Sequence, residues 1–201
     1  MIHVRARKKL GDFVLEAEIQ DEGFICLTGQ NGTGKSTLLN IIAGVLKADE
    51  GFVKLASNDI SNLSMDKKEV ILVTPQSYIQ HMDVEKHLTW GMNLNGREKN
   101  LGQVGKVKSD LGITYSGKLQ KLSLGMRERV SLATALLARP RLILVDETFS
   151  NIDNRAEFIT RFRRLCSESR VEAIFTSQLT EDSAMADHAY VMEKGKSRKL
   201  F

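Results

Sequence analysis

The nine residues GQNGTGKST at positions 29–37 restrict this chain more than any other part of it. A short apolar run, Phe24-Ile-Cys-Leu-Thr, leads into them. Leu38, Leu39, Ile41, Ile42, Val45 and Leu46 follow at helical spacing. A strand that enters a glycine-rich turn and leaves as a helix is the context that GxxxxGK[ST] requires. Gly29, Gly32 and Gly34 let the backbone turn so that its N–H groups face inward, with Gln30, Asn31 and Thr33 between them. The helix from about Lys35 presents its positive end to the same point. Lys35 adds a mobile charge suited to β- and γ-phosphates. The Ser36 hydroxyl, with Thr37 beside it, is suited to Mg²⁺.

A phosphate cradle of this kind needs an acid at the end of an apolar strand. Leu142-Ile-Leu-Val-Asp146-Glu147 supplies two. Asp146 is the candidate for holding magnesium through water. Glu147 is the candidate for polarising the attacking water, because a carboxylate beside the γ-phosphate can accept its proton.

The rest of the chain bounds the architecture. Its 201 residues suffice for one domain with its own core, and hydrophobic residues make up 42%, against a disordered chain. Lys and Arg total 29 against 25 Asp and Glu, a net charge of +4. That suits phosphate binding but does not point to nucleic acid. Cys26 and Cys166 form no CxxC pair and read as core thiols. The N-terminus has no apolar signal region, and no apolar run approaches the ~20 residues that span a bilayer.

Residues 13–19 alternate with period two, as a half-exposed strand does. Residues 70–74 read as a strand ended by Pro75. Residues 142–145, 173–176 and 189–192 read as buried parallel strands. From about 83 to 138 the pattern is helical, with glycine breaks expected at Gly91, Gly96, Gly102, Gly105, Gly112 and Gly117. The chain therefore reads as one α/β domain. Residues 1–76 and 139–201 form a catalytic core, and a helical subdomain is inserted at 77–138.

Three further stretches narrow the field. LSLGMRERV at 122–130 resembles an LSGGQ-type signature followed by its basic helix. Pro75-Gln76 after a strand resembles a Q-loop, and Ser150-Asn-Ile-Asp153 resembles a D-loop. In order and spacing the chain resembles the ATP-binding subunit of an ABC transporter over nearly its whole length. VRARKKLGDFVLEAEI and TPQSYIQHMDVEKHLTWGM resemble, more narrowly, the ATPases of molybdate/tungstate-type importers. The resemblance implies a P-loop NTPase fold: a mainly parallel core sheet, an N-terminal antiparallel β part and the inserted α-helical subdomain. It implies ATP and Mg²⁺ as cofactors. It also implies a head-to-tail dimer, homo- or heteromeric, and a transmembrane permease that holds the chain at the cytoplasmic face of the membrane. No room remains after Phe201 for the C-terminal regulatory domain that such importer ATPases often carry.

The same resemblance assigns roles. Ser123 and Gly125, flanking Leu124, would donate to the partner's nucleotide. Gln76 would touch Mg²⁺ or the water, and Asp153 would bridge the subunits. Leu10 stands where an aromatic usually stacks on adenine, with Phe13 as the alternative. Residues 76–90 would form part of the permease-receiving surface, with Tyr78, Ile79, Met82 and Trp90 as contacts, although for Trp90 packing within the helical subdomain is the favoured reading.

Departures from the family pattern are equally specific. Leu124 replaces a glycine, which removes clearance, and Met126 replaces the usual Gln or Glu, which removes a polar end. Thr148 stands in place of a proline, an exchange expected to loosen that turn. The switch histidine is absent. Gln178 falls in its slot, or Ser177 if one residue is gapped, and glutamine cannot shuttle a proton. The expectation is slow hydrolysis. The alternative is a nucleotide-gated regulatory or degenerate partner ATPase that hydrolyses little.

Overall fold

The computed structural model describes residues 1–93 and 101–201. Among the described residues, ten strands form one sheet in the order β5-β4-β1-β2-β10-β9-β3-β8-β7-β6. The strands are β1 (Ile2–Leu10), β2 (Phe13–Asp21), β3 (Phe24–Thr28), β4 (Glu50–Leu55), β5 (Asn58–Asp59), β6 (Val70–Val73), β7 (Leu142–Val145), β8 (Glu172–Ser177), β9 (His188–Glu193) and β10 (Lys196–Lys199). The segment β9-β3-β8-β7-β6 is parallel throughout, whereas β1 pairs antiparallel with both β2 and β4. The architecture is α/β, a mixed sheet with helices, in keeping with the P-loop NTPase fold that the resemblance implies.

The continuous apolar runs are explained by two cores on opposite faces of the sheet. Phe24, Cys26, Ile143 and Val145 join one. Ile25, Leu27, Leu142 and Leu144 join the other. Alternate side chains of one strand thus serve different layers, so every position must be apolar. The first core is covered by α2 (Val84–Asn93), α3 (Leu101–Asp110), α4 (Leu124–Leu137) and α5 (Arg155–Ser169). The second is covered by α1 (Lys35–Ala43).

Three local expectations are corrected. Helix α1 stops before Val45, because Gly44 adopts φ 85° and its N–H closes on the Asn40 and Ile41 carbonyls; Val45 is left 61% exposed. Gly91 does not break α2. A Cβ there would lie 2.5 Å from the Thr134 carbonyl oxygen, so the glycine lets α2 and α4 approach closely. Gly102 and Gly105 likewise lie inside α3. Gly112 and Gly117, with φ 66° and 93°, do sit outside the helices, and Gly96 lies outside the described residues.

Candidate nucleotide site and family

Strands β3, β7 and β8 deliver the candidate groups at their C-terminal ends. Gly34 caps α1 with φ 105°, and a Cβ at Gly29 would meet the Met192 carbonyl oxygen at 2.5 Å. Only glycine allows that approach. Lys35 is buried, and its Nζ donates to the Gly29 and Gln30 carbonyls at 2.7 and 2.9 Å. The Thr33 hydroxyl also donates to the Gln30 carbonyl, at 2.8 Å. The lysine thus holds the loop's shape while its charge stays within range of the acids. Burial pulls the Lys35 pKa down, and the negative fields of Glu147 and Asp146 push the other way.

The acid pair is fixed by Thr176 on β8. Its hydroxyl donates to Asp146 Oδ1 at 2.9 Å and accepts from the Glu147 N–H at 2.9 Å. Glu147 itself sits at φ 54°, a left-handed turn that redirects the chain directly after the strand. Thr148 does not loosen this turn. It is fully buried, and its hydroxyl lies within hydrogen-bond distance of the Val73 and Asp146 carbonyls, at 3.3 and 3.1 Å. That bonding does by tethering what proline does by restricting φ.

Beyond β8 the structure separates the two switch candidates. The Gln178 Nε2 donates to Glu147 Oε1 at 3.4 Å. The Ser177 hydroxyl instead donates to buried Asp182 at 2.5 Å and accepts from the Leu179 N–H. Gln178 is the residue beside the acid.

Phe13 lies against the glycine loop: a Cβ on Gly34 would fall 3.1 Å from the ring. With Asn31, Gly32, Thr33 and Lys194 it lines a shallow cavity of about 630 Å³. Leu10 pairs with it across the β1–β2 hairpin, is 41% exposed and does not line that cavity.

Ser123 caps α4, accepting the Met126 N–H at 3.3 Å, and Leu124 is 41% exposed. Gly125 packs on the Asn151 carbonyl, where a Cβ would lie at 2.4 Å. Gln76 and Asp153 are exposed. Ser123, Leu124 and Asp153 are thus exposed, whereas Gly125 is half-buried against Asn151. Trp90 lies beside His87, ring centroids 5.9 Å apart, but is 40% exposed and, with Ile71, Tyr78, Ile79 and His87, lines a cavity of about 250 Å³.

A family model described as ABC transporter matches residues 14–150. The chain belongs to the ABC transporter family. It is similar to the molybdate/tungstate import ATP-binding protein WtpC of Archaeoglobus fulgidus, 34% identical over all of this chain and 89% of that protein. It is 32% identical to the molybdenum import ATP-binding protein ModC of Rhizobium meliloti over 97% of this chain, but spans only 58% of that relative's length. A crystal structure of an ATP-binding cassette of an ABC transporter in its ADP conformation superposes with a TM-score of 0.81. It is 25% identical and is matched over 98% of this chain and 89% of that one. A dimeric bacterial ABC transporter cassette superposes at 0.82 with 19% identity, a likeness of fold alone. Among the described residues of this ABC-family chain, no helix is long and apolar enough to cross a membrane.

Proposed function

We propose that the chain is the ATP-binding and ATP-hydrolysing subunit of an ABC importer of oxyanion type. The observation that carries this is the convergence of Lys35, Asp146, Glu147 and Gln178 at the ends of β3, β7 and β8. Residues 29–37 would cradle the phosphates with main-chain N–H groups. Ser36 and Asp146 offer hard oxygen donors that fit Mg²⁺, which would neutralise phosphate charge when bound. Ser36 is exposed, and Asp146 spends one oxygen on Thr176, leaving the other available. Gln76 would complete the water's surroundings. Glu147 would accept the proton of the attacking water, and Gln178 would hold Glu147 and donate to the γ-phosphate. The similarity to molybdate/tungstate and molybdenum import proteins supports the oxyanion class.

In this reading residues 1–76 and 139–201 are the catalytic core and 77–138 the helical subdomain. Phe13, rather than Leu10, would meet the adenine. Phe13→Ala is expected to weaken ATP binding about five- to tenfold, measured by fluorescence titration with a labelled nucleotide. Leu10→Ala should change it less than about twofold.

Ser123, Gly125 and Asp153 would face a second cassette, and the Trp90–Ile79 groove would receive the permease on the cytoplasmic side of the membrane. Size-exclusion chromatography of Glu147→Gln with and without Mg·ATP tests the closure. An ATP-dependent dimer is expected, with Leu124, exposed at the start of α4, tolerated across the interface. A monomer at saturating ATP overturns the homodimer. It favours the second reading, a partner for a different cassette, which the Leu124 and Gln178 substitutions support.

A further inference from the structure

We propose that Glu128 is a positioning residue that clasps the signature helix α4 to the segment 150–153, so that both surfaces meant for the partner cassette move as one body. The inference rests on the dimer reading above.

Glu128 is 1% exposed on α4, one turn past Gly125. Its Oε1 accepts from Asn151 Nδ2 at 2.9 Å, and its Oε2 is buried with no partner. A buried carboxyl with half its bonding capacity unused is costly, so its one bond, to Asn151, carries the offset. Two neighbours make the same junction. Gly125 abuts the Asn151 carbonyl, and Arg129 Nη2 donates to the Asp153 carbonyl at 2.8 Å. Residues 125, 128 and 129 therefore hold residues 151 and 153 by backbone contact, side-chain bond and guanidinium.

Burial raises the Glu128 pKa to about 7, and the Asn151 bond lowers it only in part. The charged groups on the elements around it are engaged elsewhere. On α4, Arg127 bonds Tyr78 and the Leu122 carbonyl, and Arg129 bonds the Leu111 and Asp153 carbonyls. On α2, His87 faces Thr134 and Glu85 pairs with Lys108 of α3. Asp110 of α3 pairs with Arg164 of α5, and Arg155 with Asp182. Beyond Asn151, Glu147 is met by Gln178. None of these offsets an ionised Glu128, so the anion would draw water into the junction and loosen it as pH rises through about 7.

The test uses the full chain carrying Glu147→Gln. Dimer fraction with Mg·ATP is read by size-exclusion from pH 6 to 8, alongside labelled-ATP titration and amide exchange of 150–153 in the nucleotide-free chain. Glu128→Ala and Asn151→Ala should each reduce the dimer fraction about fivefold and speed exchange of that segment, with ATP binding within twofold. Glu128→Gln keeps the bond to Asn151 and cannot ionise. It should abolish the fall in dimer fraction that the parent shows above pH 7. Unchanged exchange in both Glu128→Ala and Asn151→Ala, or a pH profile unaltered by Glu128→Gln, overturns the clasp. A parent that never dimerises overturns the dimer reading instead, and amide exchange, which needs no dimer, still decides the clasp.

Discussion

Glu147→Gln is expected to lower steady-state ATP hydrolysis by at least about 10²-fold while leaving ATP binding in place, because a positioned general base contributes on the order of 10²–10⁴. Three features make the loss large. Glu147 sits at a left-handed turn whose main-chain N–H is held by the Thr176 hydroxyl, and its carboxylate accepts from Gln178. Its negative field reaches Lys35, which places it beside the phosphate cradle. Its side-chain neighbour, Gln178, cannot accept a proton in its place. The glutamine variant keeps shape and the Thr176 bond to the main chain, so the change is confined to basicity. Phosphate release from wild type and variant, with nucleotide titration as the control, measures it. Equal rates would remove Glu147 from the catalytic role and leave the nucleotide-gated reading standing.

What could be read from the sequence was whatever chemistry imposes locally. The glycine loop, the acid pair and the doubly buried strands β3, β7 and β8 each follow from residue type and spacing within one short local stretch. Strand β1 left a weaker trace. Ile2, Val4 and Ala6 alternate with His3, Arg5 and Arg7, and the structure buries the first three. The charges obscured a pattern that was present. Strands β4 and β10 are short, glycine-bearing or strongly basic, and are held by neighbours rather than by propensity. Gly91 has the residue type of a helix breaker but the function of a helix contact, a distinction made only by Thr134, 43 residues away. Trp90 carries the composition of a core residue, yet its 40% exposure is set by what α2 faces.

The site's supporting contacts were the least legible. Thr148, Thr176 and Asp182 carry no motif of their own. Thr148 and Thr176 act through partners on distant strands, and Asp182 joins nearby Ser177 to Arg155 on α5, pairings that no local period records. Glu128 lay inside a recognised stretch, but its burial and its bond to Asn151 appear only when α4 is packed on the segment after β7.

Asp182→Ala is the second large expected effect, and it joins stability to the site. The Asp182 carboxylate is 2% exposed, accepts the Ser177 hydroxyl at 2.5 Å and lies 3.1 Å from Arg155 Nη2. Arg155 opens α5 immediately after Asp153 and Asn154, so this pair links the candidate dimer segment to the turn that carries Gln178. Removing one member of a buried pair costs up to ~3–5 kcal/mol. Arg155 keeps access to water, so about 2–3 kcal/mol is expected. For a chain of this size that lowers Tm by roughly 5–10 °C. Glu181 is the internal control. It also approaches Arg155, at 3.6 Å, but its side chain is 77% exposed, and Glu181→Ala should shift stability by less than ~1 kcal/mol. Differential scanning calorimetry of the two variants measures the contrast. Hydrolysis measured well below both transitions should also fall in Asp182→Ala, because Ser177 loses the acceptor that fixes the turn and Gln178 loses its register against Glu147. A variant that melts early but hydrolyses at the wild-type rate would restrict Asp182 to holding the fold. Equal melting of the two variants would remove the buried pair from the account of stability.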